Sequence, residues 1–138
     1  MRILVAEDDL VSSKVLSKFL SKFAICDVAF DGKEALDAFL EANREGKPYD
    51  FICLDIMMPK IDGIKVLKAI RDLEKQKNLL SELQTEKRVK VIMTTALIEE
   101  QFIHNSFDIG CDAYAEKPID LENLMEVMLQ VGLSMDNI

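Results

Sequence analysis

Short apolar runs alternate with amphipathic segments along the whole chain, and few folds accommodate that rhythm. Arg2–Ala6, Phe51–Leu54 and Val89–Met93 are dominated by apolar residues, with no regular polar position. Strands of that composition are covered on both faces, as in a parallel sheet. Ile25–Phe30 carries Asp27 inside it and Ala113–Glu116 is brief, so these two suit the sheet edges. Between the runs lie helical spacings. Leu16, Phe19, Leu20 and Phe23 recur at i, i+3, i+4, i+7, and Leu121, Leu124, Met125 and Met128 repeat the pattern. Asp31-Gly32 ahead of Lys33–Asn43, and Asp62-Gly63 ahead of Ile64–Leu73, read as turn-to-helix junctions. Gly46 and Gly110 follow the second and fourth helical segments, where left-handed caps are common. Strand then helix, five times over, predicts an α/β domain with helices on both faces of a parallel sheet. The length of 138 residues suits one domain, expected over 1–132, with 133–138 as a frayed tail. Lys75–Arg88, KQKNLLSELQTEKR, is long for a helix-to-strand connection. The third helix is expected to continue into it, with Leu79, Leu80 and Leu83 as a short apolar stripe, before a loop.

Composition excludes several classes. At 49% hydrophobic and 30% charged residues, the chain has a globular balance and not a disordered one. No apolar run approaches the ~20 residues of a membrane helix. Glu7-Asp8-Asp9 interrupts the N-terminus too early for a signal peptide, which points to a cytoplasmic protein. Cys26, Cys53 and Cys111 are odd in number, far apart and set among apolar neighbours, so buried free thiols are expected and not a disulfide or metal site. The net charge of −8 is unevenly spread: residues 1–90 balance at 16 basic and 16 acidic, whereas 91–138 hold nine acids against Lys117 alone. Phosphates would be repelled there, so no direct nucleic-acid role is expected. The acidic third reads either as a solvated surface or as a docking face for a basic partner.

In open α/β sheets, ligands bind beyond the carboxyl ends of the strands. The expected strand ends carry Glu7-Asp8-Asp9, Asp55, Thr94-Thr95-Ala96 and Lys117-Pro118. Singly, each has a plain structural use: Asp8 or Asp9 could cap the first helix, Thr95 the fourth, and Lys117 could stand on the surface. Together they form an anionic edge, and two carboxylates at ~4 Å cost about 4 kcal/mol at an effective dielectric near 20. Such a cluster calls for a cation, and hard oxygen donors in a hydrated site suit Mg²⁺ (or Mn²⁺) better than zinc or copper. The one histidine, His104, lies among Phe102, Ile103 and Phe107, which speaks against zinc chemistry and histidine-based triads. A cation, an ammonium and a hydroxyl around a carboxylate suit phosphoryl transfer onto that carboxylate. Asp55 is the candidate nucleophile because it ends a central apolar run alone, while Glu7 and Asp8 stand as a pair.

The motifs ILVAEDD, LDIMMPKIDG, VIMTTA and YAEKP, in this order, make the chain resemble the receiver domain of bacterial two-component response regulators from end to end. That resemblance implies a flavodoxin-like (βα)5 three-layer sandwich with strand order 2-1-3-4-5. By motif it implies Glu7 and Asp8 as the acidic pair, Asp55 as phosphoacceptor, Thr95 as the hydroxyl and Lys117 as the lysine. Tyr114 matches the switch aromatic, Met57 the residue whose backbone carbonyl binds the metal, and Lys117-Pro118 a cis peptide. Asp9 falls outside the pair and is expected to cap a helix. The implied protein is not an enzyme with an external substrate. It takes a phosphoryl group from a sensor histidine kinase or histidine phosphotransferase and repacks Thr95 and Tyr114. The surface of the fourth helix, fifth strand and fifth helix then engages a downstream protein, a basic one if the acidic third is a docking face, as a monomer or a phosphorylation-dependent dimer. Met57 and Leu97, two after Asp55 and Thr95, are apolar where the family's hydrolytic water enters, so slow self-dephosphorylation is expected. Met58 is expected either to shape the loop or merely to fill it. Two rivals are a receiver-like interaction module that is never phosphorylated and a haloacid-dehalogenase-type Mg²⁺ phosphatase. The latter needs an Asp-x-Asp pair, and no two aspartates here stand two apart.

Overall fold

The computed structural model describes residues 1–80, 88–96 and 109–132, with side chains throughout except at 77–80. Its elements are β1 (Arg2–Ala6), α1 (Leu10–Leu20), β2 (Ile25–Ala29), α2 (Gly32–Arg44), β3 (Phe51–Asp55), α3 (Gly63–Leu80), β4 (Lys90–Thr95), β5 (Ala113–Glu116) and α4 (Leu121–Gln130). The expected helix between β4 and β5, the readings on Leu79, Leu80, Leu83, Leu97 and His104, and the tail 133–138 lie outside what is described. All strands are parallel, in the order β2-β1-β3-β4-β5, so the flavodoxin-like expectation holds and the two sparse strands are the edges.

The apolar strands make sense from the two cores they feed. Successive strand residues point to opposite faces. Ile3, Val5, Phe51, Cys53 and Ile92 pack with Leu16 and Leu20 of α1 and Leu124 and Met128 of α4. Leu4, Ile52, Leu54, Val91 and Met93 pack with Phe39 of α2 and Val66, Leu67 and Ile70 of α3. Each fully buried Leu or Ile contributes about 1.5–3 kcal/mol, so both sheet faces hold the layers rigidly. Asp27 on the edge strand is answered by Arg2 at 2.8 Å and by the Tyr49 hydroxyl, which donates to it at 2.6 Å. Cys53 and Cys111 are buried free thiols, whereas Cys26, on the edge, is only half-buried.

Boundaries shifted where long-range contacts intervene. β4 begins at Lys90 and runs through Thr94 and Thr95, because Asp55 pairs with Thr94 on one side and Thr95 with Glu116 on the other. α3 runs to Leu80, beyond Leu73, in line with its expected continuation into Lys75–Arg88. A buried ion-pair network holds that stretch. Arg71 reaches Glu74 at 2.6 Å and Asp112 at 3.0 Å and donates to the Gly110 carbonyl at 2.9 Å. Glu74 and Asp112 in turn accept the Val89 and Val91 amides, each at 2.8 Å, which fastens α3 to the start of β4.

Candidate functional site

Because every strand is parallel, the residues that follow β1, β3 and β5 emerge at one edge of the sheet. Glu7 is 1% exposed; its amide bonds the Ala29 carbonyl at 3.0 Å and so extends the β1 ladder by one residue. Asp8 is exposed beside it. Asp9 caps α1, accepting the Val11 amide at 3.3 Å and the Ser12 hydroxyl at 2.6 Å, as its place outside the acidic pair implied. Asp55 is the last residue of β3 and is 3% exposed. Glu7, Asp8 and Asp55 each bring a carboxylate oxygen within 4.8 Å of the others. Lys117, one residue past β5, sets its ammonium 2.6 Å from Glu7 Oε2 and 3.1 Å from Asp55 Oδ2. Its amide donates to the Thr95 carbonyl at 2.8 Å, and the Lys117-Pro118 bond is cis. Thr95 ends β4 fully buried. Tyr114 lies on β5 in register with Met93, and its side chain is partly exposed.

The electrostatics follow from this crowding. Burial pushes the Asp55 carboxyl up from 3.8 to about 6; the Lys117 hydrogen bond opposes that rise and the Glu7 charge adds to it. Burial works against the Lys117 ammonium, but its short ion pairs with Glu7 and Asp55 outweigh it and hold the group above the usual lysine value. One ammonium does not saturate three carboxylates: fully ionised, the cluster keeps two negative charges in excess. Glu7 Oε2, though close to Lys117, lies outside hydrogen-bonding angles and is buried without a hydrogen-bond partner. A buried, under-satisfied oxygen facing two more carboxylates fits a hard divalent cation, because only oxygen donors converge and Asp8 stays open to water.

The loop over Asp55 is shaped by contacts that the sequence pattern does not announce. Met57 donates its amide to Asp55 Oδ1 at 3.2 Å while its side chain is 58% exposed; Met58 is buried against Leu54 and its neighbours, so its side chain fills the loop. A Cβ on Gly63 would sit 2.1 Å from the Asp55 carbonyl oxygen, so only glycine lets α3 start this near the strand end. The Asp-Gly dipeptide signalled a turn and nothing about that approach. The Ile56 amide bonds the Thr94 carbonyl at 3.0 Å, which stitches the exit of β3 to β4.

A family model for the response regulator receiver domain matches residues 3–129. The chain belongs to that family. Receiver domains are the phosphoacceptor signalling domains of two-component phosphorelays. This receiver domain is 33% identical over 133 residues to hybrid signal transduction histidine kinase L of Dictyostelium discoideum, covering 95% of this chain but 7% of that kinase. It also spans only 12% of a rice histidine kinase. With the chemotaxis protein CheY of Treponema pallidum it shares 29% identity over 132 residues, 94% of this chain and 81% of that protein. Among solved structures, it superposes with a TM-score of 0.81 and 26% identity on the co-crystal of the Saccharomyces cerevisiae phosphotransfer protein Ypd1 with the Ssk1 receiver domain, covering 99% of this chain and 95% of that one. For the CheX–CheY–BeF3–Mg²⁺ complex of Borrelia burgdorferi the TM-score is 0.78 at 27% identity, covering 97% and 90%.

Proposed function

We propose that Asp55 accepts a phosphoryl group from a phosphohistidine of a sensor histidine kinase or a histidine phosphotransferase. The observation that carries this reading is the convergence of Glu7, Asp8 and Asp55 within 4.8 Å under the Lys117 ammonium. Glu7, Asp8, Asp55 and the Met57 backbone carbonyl would hold Mg²⁺ or Mn²⁺, which when bound neutralises carboxylate and phosphoryl charge. An Asp55 oxygen attacks phosphorus in line, the P–N bond breaks, and the imidazole of the donor keeps the electron pair. Lys117 shields the transferred oxygens, and the Thr95 hydroxyl takes one of them as a hydrogen-bond acceptor. Tyr114 then turns toward the space that Thr95 vacates, shifting the population of the surface around β5 and α4. A groove of about 530 Å³ there, lined by Glu116, Asp120, Glu122 and Glu126 with Lys117, Pro118 and Asn123, has four acids against one base and supports a basic downstream partner. On the donor side, Leu10, Val11 and Val15 are exposed on α1, the helix that follows the acidic pair, and support docking of a partly apolar surface.

Acetyl phosphate labelling with Mg²⁺, read by intact mass, tests the reading. One phosphoryl adduct is expected on the wild type and none on Asp55→Asn. An adduct that persists in the variant moves the chemistry elsewhere, and none on either favours the unphosphorylated interaction module. Without metal, the Asp55 carboxyl at about 6 makes the nucleophile fade as pH falls below that value.

A further inference from the structure

We propose that Lys60 is a positioning residue: through its ion pair with Asp31 it clamps the loop between β3 and α3 against the start of α2, and so presets the Met57 carbonyl for a divalent cation. The inference rests on the metal reading above. Lys60 has φ 68, and among the described residues it is the one non-glycine with positive φ. L side chains rarely adopt that conformation, and such residues persist where their surroundings over-determine them. The surroundings here are specific. Lys60 Nζ lies 3.2 Å from Asp31 Oδ2, while Asp31 Oδ1 accepts the Glu34 amide at 2.8 Å and caps α2. One buried carboxylate therefore fastens both a helix start and the loop. The Lys60 side chain is 62% exposed, so packing does not account for the residue type.

The backbones meet at the same place. A Cβ on Gly32 would fall 2.0 Å from the Ile61 carbonyl oxygen, and the Gly32 amide donates to the Pro59 carbonyl at 3.4 Å. The loop is tied on its other side by the Met57 amide to Asp55 and the Gly63 amide to the Ile56 carbonyl at 2.8 Å. Met57 thus sits between two anchored points. A cation that needs its carbonyl binds only the conformers that present it, and apparent affinity scales with their fraction. The Lys60–Asp31 pair raises that fraction.

The test is a Mg²⁺ titration of the unphosphorylated protein, followed by amide NMR shifts, beside thermal unfolding in EDTA. Lys60→Gly keeps the positive φ without strain and loses the pair; Asp31→Asn keeps a capping side chain and loses the charge. Both should weaken Mg²⁺ binding about two- to fivefold, the range set by a half-exposed ion pair. Lys60→Arg should restore wild-type affinity. The thermal midpoint of Lys60→Gly should hold or rise, which a merely structural role would not produce. Unchanged affinity in Lys60→Gly, with wild-type binding intact and abolished by Asp8→Asn, overturns the clamp alone. An affinity loss that only tracks a fallen midpoint overturns it too. A wild type that binds no Mg²⁺ overturns the metal reading, and the clamp with it.

Discussion

Asp55→Asn should make the metal-free protein more stable at neutral pH, although it removes the side chain on which the proposed chemistry depends. In the folded chain burial holds this carboxyl near 6, against 3.8 for the free group. Between those values the native state keeps a proton that the unfolded state has released, so stability falls as pH rises through the window. Above about pH 6 the whole cost is present, and below the unfolded value it is absent. The difference is about two pKa units at 1.36 kcal/mol each, a ceiling of about 3 kcal/mol. Asparagine carries no charge beside Glu7, but it also gives up the 3.1 Å ion pair with Lys117, so the net gain is about 1–3 kcal/mol. Urea unfolding in EDTA between pH 4 and 8 reads this directly. The variant should exceed wild type at pH 7.5 and converge with it near pH 4. Mg²⁺ at about ten times its dissociation constant should add about 1.4 kcal/mol to wild type only. A variant equal to or weaker than wild type at pH 7.5 would refute the picture of a strained anionic pocket.

Other consequences follow from single contacts. Gly63→Ala sets a methyl 2.1 Å from the Asp55 carbonyl oxygen and should cost about 3 kcal/mol in urea unfolding; an unmoved midpoint would contradict the close approach. Arg71→Ala removes the short ion pairs to Glu74 and Asp112, both largely buried, leaving them the Val89 and Val91 amides and Asp112 the Arg88 guanidinium at 3.6 Å; it should cost about 2–4 kcal/mol, with Arg71→Lys recovering only part of it because an ammonium lacks the planar fork. Met57→Asn places a polar group where an exposed thioether now stands beside Asp55 and should shorten the life of the phosphoryl adduct severalfold, measured by mass after donor removal; an unchanged lifetime counts against the apolar-entrance reading.

Much of the architecture was legible because burial on two faces leaves a plain mark: Ile3 to Val5 and Phe51 to Leu54 are apolar at consecutive positions, which only a covered sheet tolerates. Asp55 was legible for the opposite reason, as a charge that ends such a run. Asp27 was marked as an edge residue, but its partners Arg2 and Tyr49 were not, because nothing in spacing says which side chains meet across strands. The limits of β4 were blurred by Thr94 and Thr95, whose polarity hides that both are buried.

The order of residue types, then, dictates where strands and helices form and which few groups carry charge into an apolar frame, since local periodicity and solvation act on near neighbours. Only packing decided the rest. Lys117 meets Asp55 across 62 residues, Arg71 meets Asp112 across 41, and Gly32 touches Ile61, because parallel strands and close-set backbones bring together groups that no local rule relates. The shifted carboxyl of Asp55 belongs to that assembly and not to the residue, for it arises from exclusion of water and from neighbours that exist only once the sheet is formed.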